Sequence, residues 1–474
     1  MLGLNGSYTT LASGFRTVGI NPANLVVYPT KSWNIIDFSM GLTNNFFSIE
    51  NYNALSGSHL NDTKHVNYYP EEKILDELGG DGLRVRQSLS IPLPGLNMST
   101  QRMAFTSRFT SNLDIGLSDG MVQLYSGNPF EEDIYLDIEE VFFSTQEMGI
   151  SYGYSFPSYS AGLTIKYLLG LFYMGMESLE SPTLTTDAHG FYGNPKYIIR
   201  QAIGGSGLGL DVGITTNESN NGYRFGISII NLFGTIKWTQ NNFIRDQLEP
   251  NFRNKDYYLR PNELMYVNMG IDSVTLQNLG DLENLEDPLV YYETYKVISI
   301  YDTSTTTSSK LVVPLEDGTY LYPSGGEYRK NVLLGDGDTT YSIPDDNYLK
   351  YLSGGDNSFK TRQPMYIRLG ISKRWIDQAV VAVDLVTGFE NQLNSSSTWR
   401  LSVGAEITRF KNKFLRMGYA FGGVEDKSLS LGYGVKVGSI NIDIGLSLIG
   451  GFSLNSTKGF GMAAGIIWKL DKIS

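Results

Sequence analysis

Cysteine is absent from the 474 residues. That excludes disulfides, cysteine-ligated zinc and thiol catalysis, and it fits a chain that passes an oxidising compartment unfolded. Histidine occurs three times, as His59, His65 and His189, all in segments read as loops. No Ser-His pair stands at strand ends where a barrel hydrolase would need one, so an enzyme is not expected, nor a metal or cofactor. No run of eighteen apolar residues occurs, which excludes a membrane-spanning helix. Charged residues make up 18%, against about a quarter in soluble domains. The 37 basic residues are outweighed by 49 acidic ones, for a net charge of -12. A nucleic-acid partner, which calls for a basic surface, is therefore excluded. The first ten residues lack a charged stretch and an apolar core, so no signal peptide is present in this chain, which reads as mature or truncated.

What the chain has is glycine (52), tyrosine (31) and alternation. Ile440, Ile442, Ile444, Leu446 and Leu448 are separated by Asn441, Asp443, Gly445 and Ser447. Leu401, Val403, Ala405 and Ile407 alternate with Ser402, Gly404, Glu406 and Thr408; Leu429 to Val437 repeats the pattern. A period of two gives each strand one apolar and one polar face. Repeated in segments of about ten residues, it predicts an all-β fold, a transmembrane antiparallel barrel with lipid outside and a polar lumen.

Strands are expected near 34–44, 83–93, 102–112, 146–156, 161–173, 205–216 and 223–231. They resume near 365–374, 379–388, 399–408, 414–422, 428–437, 440–449 and 459–470. That makes about 14 strands, an even number as bacterial barrels require. Connections alternate long and short. Short ones belong on the periplasmic side and long ones outside, which puts both termini in the periplasm. Trp33, Trp375, Trp399 and Trp468 fall near strand ends, where interfacial aromatic girdles belong.

The expected organisation is a plug-like segment 1–31 and a barrel 32–474, with a large extracellular insertion at about 232–364. That insertion carries Asp281, Glu283, Glu286 and Asp287, then Asp336, Asp338, Asp345 and Asp346. Their spacing matches no calcium loop and reads as solvated acidic surface. A short helix is expected over Glu71 to Leu78, after Pro70. Gly204-Gly205-Ser206-Gly207-Leu208-Gly209 lacks the register of a nucleotide loop, and no helix follows it. It reads as strand glycine where the barrel bends or a plug approaches.

The start of the chain runs through small residues to Asn21-Pro22-Ala23-Asn24-Leu25, just before the first strand. This resembles the N-terminus of FadL-like outer-membrane proteins, a superfamily that includes long-chain fatty-acid transporters and PorV-like secretion proteins. Gly204 to Gly213 and the stretches "YIRLGIS", "LSVGAEI" and "LRMGYAFG" are similar to a Bacteroidetes-type branch of it. The resemblance implies an outer-membrane location, with membrane lipids and lipopolysaccharide as surroundings. It implies that Asn21, Pro22 and Ala23 lie in a plug, and that the channel takes up hydrophobic or amphipathic small molecules passively. The alternative it carries is a PorV-like barrel that binds secreted protein cargo.

Arg84 and Arg86 on the second strand, and Arg102 and Arg108 on the third, share the polar parity. They are lumen-facing candidates. Either they contact an anion or carboxylate of a ligand, or they pair with carboxylates of plug or loops.

Overall fold

Why these segments make a barrel follows from where their polar groups go. In hydrocarbon every backbone N–H and C=O must find a partner within the protein, which a sheet achieves only by closing on itself. In the computed structural model the chain does so with fourteen antiparallel strands. They are β1 (Lys31–Asn44), β2 (Leu83–Pro92), β3 (Met103–Leu117), β4 (Ile138–Ser155), β5 (Tyr159–Leu179), β6 (Lys196–Thr216) and β7 (Tyr223–Thr239). The second half is β8 (Tyr366–Trp375), β9 (Ala379–Thr387), β10 (Arg400–Ile407), β11 (Lys413–Gly422), β12 (Lys427–Val437), β13 (Ile440–Ile449) and β14 (Gly459–Leu470). Each pairs with its neighbour in sequence order. β14 closes on β1, from Lys31 opposite Leu470 to Thr43 opposite Gly459.

The structure describes residues 2–59, 63–78, 82–126, 133–179, 182–187, 190–193, 195–239, 242–248, 263–274, 290–301, 309–314, 320–321, 358–375, 378–391, 393 and 395–470. The eight insertion carboxylates named above, and His189, lie outside the described residues.

The usual relation of burial to polarity is inverted. Val403, Met417, Leu431, Ile444 and Leu446 are exposed, while Ser402, Ser428, Ser430 and Ser447 are buried. Cross-strand register makes the apolar face continuous: Val403 faces Tyr419, Tyr419 faces Leu429, and Leu429 faces Leu448. Such a belt matches the lipid face of a membrane barrel. Trp33 and Trp468 stand opposite one another at the short-turn end, and Trp375 is exposed at that end too.

Strand lengths are unequal. β4 to β7 have 18, 21, 21 and 17 residues, whereas β10 has 8. About 9–11 residues cross a bilayer, so these four strands rise well above the long-loop edge. The sequence pattern puts their outer ends too near the short-turn side, at 146, 173, 205 and 231, where the structure has 138, 179, 196 and 239. The extra residues stand in water rather than lipid, so strict alternation is not required of them, as Ile138-Glu139-Glu140-Val141-Phe142-Phe143 shows.

Phe143, Leu168, Ala202, Ile236 and Trp238 form a buried cluster on the inner side of this raised wall, with Tyr173 and Phe359 packed against it. A helix over Glu71–Leu78 sits in the first long loop, and its Ile74 and Leu78 pack on Phe46.

Candidate functional site

The inside of the barrel is occupied by the chain's own residues 2–30. They touch the inner face around most of the ring, and glycine is what lets them. A Cβ on Gly432 of β12 would stand 2.9 Å from the Cα of Gly3, and one on Gly418 of β11 would press on Leu4 and Asn5. On the other side, a Cβ on Gly162 of β5 would run into the backbone of Pro22 and Ala23, and one on Gly213 of β6 would meet the Asn21 side chain.

Polar residues of the wall complete the contact. Asn21, fully buried, donates to the Thr215 hydroxyl at 3.0 Å and accepts from the Ala23 N–H at 3.1 Å. Asn24 donates to the Thr9 carbonyl at 2.9 Å and accepts from Thr215 at 2.9 Å. Asp384 of β9 accepts from the Tyr8 and Thr9 N–H groups and from the Thr9 hydroxyl, at 3.0, 2.8 and 2.6 Å. Arg368 of β8 donates to the Gly6 carbonyl at 2.9 Å and lies 3.3 Å from Asp384. Arg400 of β10 donates to the carbonyl and side chain of Asn5 at 3.0 and 2.8 Å. Arg16 of the segment bonds to Asp37 of β1 at 2.8 Å and lies 3.3 Å from Asp443 of β13. Asp443 also takes Arg416 of β11 at 2.6 Å.

Between this segment and the external loops lies a chamber of about 490 Å³. Its floor includes Leu2, Gly6 and Tyr8, and its walls carry Arg86, Arg108, Glu147, Lys166 and Arg368 among many hydroxyls. A second cavity of about 220 Å³ lies beside Phe15 and Arg16. One wall of the chamber holds a buried ion pair. Lys166 of β5 lies 2.9 Å from Asp211 of β6, with the two side chains 2% and 0% exposed. Lys166 also donates to the Asn231 side chain at 2.7 Å. Low dielectric makes such a pair strong only while it is complete.

The four arginines singled out by parity do not form one cluster. Arg84 grips Asp114 of β3 with two bonds, at 2.7 and 3.0 Å, and Arg86 adds a third at 3.2 Å. Arg108 stands opposite Pro92, six residues along β3 from Asp114; at about 3.3 Å per residue that is roughly 20 Å. Its partner is Glu147 of β4 at 3.4 Å. Arg102 lies in the exposed turn before β3, apart from the other three. Among the described residues, Arg84, Arg86 and Arg108 thus pair with carboxylates of the barrel wall.

The glycine run 204–209 does not meet the N-terminal segment. Gly204 takes a positive φ of 75°, and Gly205 and Gly207 face Ile236 and Thr235 of β7. Close approach to the segment falls to Gly213 instead. The sequence reading also passed over Asp384, Arg368, Arg400, Lys166 and Asp211. The available signal was parity, since Asp384 interrupts Ala379-Val380-Val381-Ala382-Val383 on the polar side.

His59 and His65 lie against each other in the first long loop, with ring centroids 3.6 Å apart and the planes tilted by 38°. No group of three metal-ligating side chains occurs among the described residues.

No protein-family model and no curated protein matches the chain. Solved structures of FadL-type transporters do. The toluene transporter TbuX of Ralstonia pickettii is similar over 97% of this chain and 95% of its own, at 11% identity and a TM-score of 0.46. The toluene transporter TodX of Pseudomonas putida matches over 95% and 91%, at 10% identity and a TM-score of 0.41. A FadL homologue of Pseudomonas aeruginosa matches over 96% and 94%, at 10% identity and a TM-score of 0.42.

Proposed function

We propose that the chain is an outer-membrane channel for passive uptake of hydrophobic or amphipathic small molecules, with residues 1–31 acting as its plug. The observation that carries the reading is the chamber of about 490 Å³ in the lumen. It lies in a barrel whose outer face is an apolar belt, and its floor is the N-terminal segment itself. An occupied lumen is wrong for a general diffusion pore and right for a gated one. Asn21, Pro22 and Ala23 seat the plug on β5 to β7, and the Asp384–Arg368 pair holds it on β8 and β9. The lining suits an amphipathic guest. Arg86, Arg108 and Arg368 stand in its wall beside Tyr8, Ile230 and Tyr366, so a polar head and an apolar body each find a matching surface.

The test is entry of N-phenyl-1-naphthylamine, a fluorescent apolar probe that an intact outer membrane slows, into cells that make the full chain. Faster entry than in cells without it supports uptake. Equal rates, with the barrel assembled in the outer membrane, sink the reading.

A further inference from the structure

In the loop between β9 and β10, the described residues 388–391, 393 and 395–399 reach far around the ring. Its start is pinned at the rim: the Gly388 N–H donates to the Ser396 carbonyl at 2.8 Å, and the Thr387 hydroxyl donates to Gly388 at 2.9 Å. From there the Asn391 carbonyl accepts from Arg84 of β2 at 3.4 Å. β2 and β9 are seven strands apart in a ring of fourteen, so this contact crosses the mouth along its diameter. Leu393 turns toward the raised wall and is buried, 6% exposed, among Phe143 of β4, Leu168 of β5, Ala202 of β6, and Ile236 and Trp238 of β7. Beneath the loop, Ser396 and Thr398 line the chamber. The loop is a roof.

The place that Leu393 fills is built of aromatic rings. Trp238 lies 6.1 Å from Phe143 and 6.1 Å from Phe359, stacked on the latter at 22°. Tyr173 closes the set at 5.9 Å from Trp238 and 5.3 Å from Phe359. The Trp238 N–H is already satisfied by the Thr361 hydroxyl at 2.8 Å, so the indole asks no hydrogen bond of whatever fills the socket. Leu393 itself takes a φ of 57°. That left-handed backbone is unfavourable for a residue with a branched side chain, and strain of this kind marks switch regions more often than ordinary loops.

We propose that this socket is a ligand subsite for a small aromatic or aliphatic group, and that Leu393 is its built-in occupant. A guest that enters the socket displaces Leu393, releases the strained backbone and lifts the roof from the chamber below. Capture of the apolar end of a molecule is thereby coupled to access for the rest of it. The proposal rests on the uptake reading for its direction of travel, but the displacement is measurable without transport.

The test uses the full chain in detergent, where the native sequence has no cysteine. The Leu393→Cys variant is reacted with a bulky polar maleimide, with and without benzene, whose size suits the void a leucine side chain leaves. Labelling should be slow alone and rise about tenfold at saturating benzene, because the guest shifts the roof between two states. A Ser456→Cys variant in another external loop should label at one rate throughout. Fast labelling of Leu393→Cys without benzene, or no change with it, overturns the proposal.

A second measurement guards against a perturbed cysteine variant. Leu393→Ala should bind fluorobenzene, followed by fluorine NMR, about tenfold more tightly than the native chain, because the competing occupant is gone. Equal affinity also overturns it. Failure of both with faster cellular probe entry would reject the roof and leave uptake standing. The reverse pattern would reject uptake alone.

Discussion

The carboxylate of Asp384 accepts a hydrogen bond from the backbone N–H of Thr9 at 2.8 Å, across 375 residues of sequence. Asp384 is fully buried and shares this position with Arg368. The pair joins the barrel wall to the segment that occupies its lumen. Asp384→Ala takes the counter-charge from Arg368 and leaves two N–H groups without their acceptor. Removing one partner of a buried pair costs about 3–5 kcal/mol, and here the cost falls on the seated state of the plug. Planar-bilayer recordings should show brief openings in this variant and none in the native chain. A variant as quiet as the native chain would show that the contact is not a latch.

Gly162 tests the opposite side of the same seat. A Cβ there would run into the backbone of Pro22 and Ala23. Gly162→Val should therefore unseat residues 21–24 while the lipid face of β5 is unchanged. Overpacking of this kind costs about 1–3 kcal/mol. Limited proteolysis from the short-turn side should cut the N-terminal segment faster than in the native chain. Unchanged cleavage would mean that the segment has room to shift without leaving.

The Lys166–Asp211 pair tests whether the chamber wall depends on complete charge pairing. Lys166→Met leaves Asp211 without its counter-charge, bonded only to the Asn231 N–H among the described residues, and should cost about 3–5 kcal/mol, while the double variant Lys166→Met with Asp211→Leu should recover most of it. The readout is the temperature at which the folded band converts to the unfolded one in unboiled gels. Equal losses in the single and double variants would mean that packing, not charge, is what matters there.

Topology follows from loop lengths. Cysteines placed at Asn412 and Ser439, in short turns, should be shielded from impermeant thiol reagents on whole cells, while one at Ser456 should label readily. The reverse pattern would invert the orientation.

All fourteen barrel strands were legible in the sequence because lipid on one side and water on the other force alternation residue by residue. Ile440 to Ile449 is the clearest case, read with the ends at which the strand is found. Where that constraint lapses, legibility lapses with it. The outer halves of β4 to β7 stand clear of the lipid, and the pattern puts their ends too near the short-turn side. Parity also pointed Arg84, Arg86 and Arg108 inward, yet it said nothing of height along the strand, which separates the first two from the third. Arg102 shares the parity but falls in a turn, where parity has no meaning. The wall residues that hold the N-terminal segment were legible only as inward parity, with nothing to name their partners. Asp384 finds Thr9, and Arg400 finds Asn5, only because a closed ring brings the two ends of the chain together.

Residues 2–24 sit where, as the proposed plug, they would block a lumen that fourteen strands otherwise leave partly open. Single-channel recording in planar bilayers compares the full chain with a variant lacking residues 2–24, both checked for the heat-resistant folded band. The account predicts a closed or barely conducting full chain and a stable, larger conductance after deletion. Equal conductance from two assembled barrels would contradict it.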